Sequence, residues 1–206
     1  MKVVTALKQQ TKNGKRVNLY LDDKFYCGLD LITVMKYRIK VGAEFSESEI
    51  IKIQYDEESN SAFNYALTSL SKSVKTEKEI TQKLLRKGYL FEIVEQVIAK
   101  LKDYGFLNDG EYATRYYNTY SNKKGSRLIK MELKRKGVDD KTLNDFDFDS
   151  NSELNSAIEI AKKYVKNKEV DIKTFSKCYK YLLSKGFSYE DSKKACEIAV
   201  GIQVED

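Results

Sequence analysis

Lys123, Arg127, Lys130 and Lys134 stand four, three and four residues apart. On an α-helix that spacing stacks the four cations along one face. A row of ammonium and guanidinium groups one turn apart suits a string of phosphates or an acidic groove on another protein. Lys124, Arg135 and Lys136 adjoin the row, Arg115 precedes it, and Lys83, Arg86 and Lys87 form a smaller cluster earlier in the chain. These eleven residues are the candidate partner- or DNA-binding set. The competing reading is a solubilising face whose apolar lysine stems lie along the helix. Charge distribution fits an anionic partner and a solvated face equally: residues 72–137 hold 16 Lys and Arg against 8 acids, whereas residues 138–171 hold 5 against 9.

Catalytic chemistry is poorly supplied. The chain has no His, which removes His-based triads and His-ligated zinc. Gly-x-Gly-x-x-Gly and Gly-x-x-x-x-Gly-Lys phosphate loops are absent. Asp139-Asp140 and the acids Asp145, Asp147 and Asp149 read as a capped helix start and a solvated loop rather than a cation site. Cys27, Cys178 and Cys196 have no framework spacing and fit a reducing cytosol. Residues 1–15 carry no apolar signal-peptide core, and no run reaches transmembrane length. The expectation is a binding protein, not an enzyme, with no cofactor, no metal and no membrane partner.

The elements that position the cations repeat. Leu84–Gly88, Leu133–Gly137 and Leu182–Gly186 each read Leu-x-x-Lys-Gly, and the three glycines are 49 residues apart. A buried Leu, a Lys in the last turn and a Gly at C′ describe a helix ending in a left-handed stop. Equal spacing makes three such ends a repeat array of three-helix units. No Pro interrupts it.

Residues 1–57 read as a separate module. Val3–Leu7, then Val17, Leu19 and Leu21 around Asn13-Gly14, then Phe25–Leu29 predict an antiparallel β-meander. Leu31, Val34, Met35 and Ile39 predict a helix ended by Gly42, and Ser46 with Glu49 predicts a capping box. Glu57–Ser61 reads as a break. Repeats follow at 58–107, 108–150 and 151–206. In the second, Tyr112, Tyr116, Tyr117 and Tyr120 fall on a buried-face period, so core packing is expected ahead of base stacking. Its third helix, from Asp139 to about Asp145, is short. The fold class is mostly α: tandem three-helix repeats forming an elongated crescent, with a small N-terminal meander plus helices.

Several stretches resemble the RecX family of RecA regulators. They are Thr76–Ile80 running to Lys87-Gly88-Tyr89, and Leu101 through Leu107-Asn108-Asp109-Gly110-Glu111-Tyr112-Ala113. Lys124-Gly125 with Ile129–Leu133 and Lys136-Gly137-Val138 is a third, and Tyr181–Tyr189 looks like the family's C-terminal repeat. Gly14–Leu21 looks like the N-terminal region of its longer members. The resemblance implies a cytoplasmic, non-enzymatic monomer that lies in the groove of the RecA nucleoprotein filament on single-stranded DNA. There it would restrain ATPase, strand exchange and coprotease activity. Direct contact with single- or double-stranded DNA stays open. The alternative class is a DNA-binding protein using helix-turn-helix-like units, which strong preference for one duplex site would distinguish.

Overall fold

A computed structural model describes residues 1–11, 13–146, 148 and 150–203. Asp147 and Asp149 of the acidic loop therefore lie outside the described residues. Among the described residues the chain is mostly helical, with four strands in one sheet, and it divides into two compact units. The first is Met1–Ser73 with Ile80–Phe106; the second is Val74–Glu79 with Leu107–Asp206.

In the first unit, β1 (Lys2–Gln10), β2 (Asn13–Leu21) and β3 (Lys24–Asp30) form the expected meander. The turn into β3 places Asp22 and Asp23 at φ 49° and 64°, the left-handed pair of a tight hairpin. Alternation along β2 buries Val17, Leu19 and Leu21, which join Val4, Leu29, Ile39, Ile50 and Ile53 in one core. A short β4 (Glu44–Phe45) pairs with β1 and completes the order β3-β2-β1-β4. The sequence does not announce it, because two residues carry no periodicity.

Two expectations fail here. The helix after β3 is only α1 (Leu31–Lys36); Arg38 turns left-handed, Ile39 packs from a loop, and Gly42 lies in a turn rather than at a helix end. Its buried residue is Thr33, while Met35 is 77% exposed. The expected break at 57–61 is also absent, since α2 runs unbroken over Glu47–Leu70. Its predicted Ser46/Glu49 capping box is present.

Glu57 explains both differences. Its buried carboxylate accepts the Asp30 N–H at 2.9 Å and the Thr33 hydroxyl at 2.7 Å, and pairs with Arg16 at 3.0 Å. A buried charge must be paired and hydrogen-bonded, and three partners satisfy this one. A polar run that looks like a loop is thus a helix facing polar partners. Farther along, α2 packs on α4 (Phe91–Asp103), where Ala62, Ala66, Ile93, Val94, Val97 and Leu101 are buried. Ile80 and Leu84 of α3 (Glu77–Lys87) are buried as their spacing predicts. Tyr104 is the exposed C-cap of α4.

The second unit holds α5 (Asp109–Tyr120), α6 (Ser126–Lys136) and α7 (Asp140–Asp145). Then come α8 (Ser150–Val165), α9 (Ile172–Ser184) and α10 (Tyr189–Val200). Tyr112, Ala113, Ile129, Leu133, Val138 and Leu143 form the core of the first three. Ala157, Phe175, Cys178, Leu182, Phe187 and Cys196 anchor the core of the last three.

Successive repeats meet in one recurring way within this unit. The Thr76 hydroxyl, before α3, donates to the Lys136 carbonyl at 2.6 Å. The Gly125 N–H, before α6, donates to the Lys185 carbonyl at 2.9 Å, across the same sixty residues. Each helix start is also capped by a carboxylate from the next repeat's first helix. Asp109 accepts the Glu77 N–H at 2.9 Å, and Glu153 accepts the Ser126 N–H at 3.0 Å. Helix N-termini expose unsatisfied N–H groups and a positive dipole end, so a carboxylate is a suitable cap. The second helices of the first two repeats therefore begin on the Lys-Gly stop of the repeat that follows. A Cβ on Gly137 would lie 2.3 Å from the Lys78 Cβ, and one on Gly186 would lie 2.3 Å from the Leu128 Cβ. The glycines thus serve close approach as well as positive φ.

Candidate nucleic-acid or protein interface

Helix α6 holds the densest part of the candidate set. It begins at Ser126, with Gly125 as an extended N-cap, because Gly125 is pinned to the Lys185 carbonyl. Lys123 therefore sits in the preceding turn and is not part of the continuous four-residue helical stripe that the 4-3-4 spacing predicts. Arg127, Lys130 and Lys134 do share the exposed face, opposite the fully buried Ile129 and Leu133. The Arg127 guanidinium lies 5.0 Å from the Tyr189 ring centroid. Lys130 donates to the Asn144 side chain at 2.9 Å, and Lys134 pairs with Asp140 at 2.8 Å. Both members of that last pair are well exposed, so water and salt weaken it and a stronger anion can displace it. Arg135 is exposed as well.

Other members are committed inward. Lys124 lies 2.7 Å from both carboxylate oxygens of Glu132, which also accepts the Tyr116 hydroxyl at 2.8 Å. Burial pushes the Glu132 pKa up, but the Lys124 and Tyr116 hydrogen bonds outweigh it and hold the carboxylate below its usual range. Burial and the same carboxylate push the Tyr116 hydroxyl up to about 12. Lys136 pairs with Glu79 at 3.0 Å. The Tyr112 hydroxyl, with Glu79 adding to it, raises the Lys136 pKa. These groups tie helices together rather than presenting charge. Arg115 forms an i,i+4 pair with Glu111 at 2.5 Å on exposed α5.

Lys83, Arg86 and Lys87 belong to the first unit. Lys83 donates to Ser69 at 2.8 Å and, like Lys87, lies 5.8 Å from the Tyr65 ring centroid. Arg86 is exposed and reaches Gln82 at 3.3 Å.

The tyrosine stripe of α5 packs as its period predicts. Tyr112 stacks on Tyr116 at 6.1 Å, Tyr116 contacts Tyr120 at 4.5 Å, and Tyr117 meets Phe146 and Phe148 edge-on. The sequence reading misses the acids that absorb Lys124 and Lys136. Nothing local joins Glu79 to a lysine 57 residues away. Among the described residues no cluster of three potential ligands could hold a metal, and no helix is long and apolar enough to cross a membrane.

Comparison with known proteins identifies the scaffold. The RecX N-terminal domain matches residues 2–46, the first RecX three-helix domain matches 62–101, and the second matches 108–145. The regulatory protein RecX of Bacillus velezensis is 34% identical over 96% of this chain and 77% of its own length. That of Clostridium perfringens is 36% identical over 91% of both chains. A crystal structure of regulatory protein RecX superposes with a TM-score of 0.74 at 26% identity, covering 93% of this chain and 97% of the other. RecX from Lactobacillus salivarius gives 0.66 at 28% identity, over 71% and 99%. With the β-module, the Gly-stopped three-helix repeats and identity above 30% across nearly its whole length, this chain belongs to the RecX family of regulatory proteins.

Proposed function

We propose that the chain regulates the RecA recombinase in the cytoplasm, mainly as an inhibitor. It acts as a monomer in the groove of the RecA filament on single-stranded DNA, restraining ATPase, strand exchange and coprotease activity. The observation that carries this reading is the recurring junction. The starts of α3 and α6 dock on the equivalent carbonyls of Lys136 and Lys185, each sixty residues on, one through the Thr76 hydroxyl and the other through the Gly125 N–H. A chain built from recurring helical units suits a polymer whose subunits also recur. The exposed row Arg127, Lys130 and Lys134 supports an anionic contact. The reading keeps the division into an N-terminal module at 1–57 and repeats at 58–107, 108–150 and 151–206 as functional segments.

The test is RecA ATPase on single-stranded DNA with increasing amounts of this protein. A dose-dependent fall is expected, with a weaker effect for the Arg127→Ala/Lys130→Ala/Lys134→Ala variant. An unchanged ATPase rate at stoichiometric protein would refute the role. Strong preference for one duplex sequence would transfer the chain to the helix-turn-helix class.

A further inference from the structure

The second unit contains an open cleft of about 430 Å³ lined by Asn122, Lys123, Ile160, Lys163, Tyr164, Tyr181 and Lys185. Its size falls within the roughly 300–1,000 Å³ of ordinary small-ligand sites. Three lysines line it, and no carboxylate does. Among the described residues the side chains of Lys123 and Lys163 have no hydrogen-bond or ion-pair partner. The acid one turn before Lys163, Glu159, pairs with Lys162 instead. These cations differ from Lys124, Lys134 and Lys136, whose charges are already met by acids. Tyr164 and Tyr181 stack with centroids 4.7 Å apart and planes at 22°. Lys185 lies 5.2 Å from the Tyr181 centroid and Lys168 lies 3.3 Å from that of Tyr164. The cleft thus joins a π-surface bordered by cations to lysines with nothing to neutralise them.

We propose that this cleft binds a short segment of single-stranded nucleic acid, a base against the Tyr164–Tyr181 pair and phosphates on Lys123, Lys163 and Lys185. Phosphates answer the uncompensated charge, and only an unpaired strand offers a free base face beside them. A duplex hides its base faces, and an acidic peptide leaves the tyrosine pair without a stacking partner. The inference rests on the proposed role only for the source of the strand, which is the DNA of the filament.

The test measures binding of a labelled oligothymidylate to the full chain without RecA, across a salt series. Lys123→Ala/Lys163→Ala should weaken binding about tenfold or more and make the salt slope shallower by about 1.4, two single-strand phosphate contacts' worth. Tyr181→Leu should weaken binding about tenfold with the slope unchanged, because stacking releases no counterions. Lys162→Ala, outside the cleft lining, should change neither. Unchanged affinity and slope in the double variant, or an equal loss from Lys162→Ala, would overturn the proposal. So would wild-type binding of duplex or inorganic polyphosphate as tight as that of the oligothymidylate. Loss of RecA inhibition with oligothymidylate binding intact would assign the cleft to a protein partner and overturn it too. Cleft-dependent strand binding with RecA ATPase unaffected would support the cleft and refute the RecA role, so the two readings fail separately.

Discussion

Gly88, Gly137 and Gly186 end equivalent helices with φ of 97°, 101° and 90°, yet alanine should not cost the same at each. A left-handed backbone costs an L-residue about 1–2 kcal/mol. At Gly88 an added Cβ meets nothing within 4 Å, so that strain is the whole cost. At Gly137 the Cβ would come 2.3 Å from the Lys78 Cβ. At Gly186 it would come 2.3 Å from the Leu128 Cβ and 2.5 Å from the Leu128 backbone nitrogen. Those separations force the helix start away from the stop and strain the Gly125–Lys185 and Arg127–Gly186 backbone hydrogen bonds. Overpacking adds roughly 1–3 kcal/mol. The totals are about 1–2 kcal/mol at Gly88 and on the order of 2–5 kcal/mol at the other two. Gly186 is the worst because its neighbour is backbone. Thermal unfolding followed by circular dichroism reads the series, since each kcal/mol moves the midpoint about 2–4 °C at this chain length. The expected order of loss is Gly88→Ala, then Gly137→Ala, then Gly186→Ala. Equal losses at all three would refute close approach as the reason for the later glycines.

Glu57→Ala should destabilise the chain by on the order of 3 kcal/mol, since it leaves the Asp30 N–H and Thr33 hydroxyl without their acceptor and Arg16 without its counter-charge; a loss under 1 kcal/mol in urea unfolding would show that water replaces the carboxylate. Glu132 has its folded pKa depressed, so its contribution is full above the unfolded carboxylate value near 4.5 and fades as pH falls through the depressed value. Glu132→Gln should therefore flatten the acid limb of stability against pH, and an identical limb in the variant would contradict the linkage. Arg127→Ala/Lys130→Ala/Lys134→Ala should cost under about 1 kcal/mol, because the ion pair it removes is exposed and Ala favours helix. A large drop in the unfolding midpoint would make those cations structural.

What the sequence discloses follows the range of the interaction. The period-two strands, the capping box at Ser46 and the left-handed Gly stops all rest on residues within a turn or two of each other. The family resemblance and the mostly helical repeat fold were legible for the same reason. Helix α1 was misread because Leu31, Val34 and Met35 have helical spacing, while the face that is buried is chosen by Glu57 on another helix reaching Thr33. The supposed break at 57–61 is the same error seen from the other side.

The candidate cations show why sites are harder to read than folds. Their charges are written in the sequence, but their availability depends on acids brought from elsewhere. Lys124 and Lys136 lie beside the exposed row in sequence and are consumed by Glu132 and Glu79, so they hold the helices that present Arg127 and Lys130. Nothing local marks Lys163, an ordinary helix position, or Lys185, half of a stop signal, as binding groups, yet both line the cleft with Lys123. The stop motif itself carries this double meaning. The Lys185 carbonyl receives the start of α6, and its side chain reaches the cleft, so one residue joins two repeats and presents charge at their junction. A repeat protein can therefore place its binding groups where neighbouring units meet, since that is where the packing rule has already fixed both backbones.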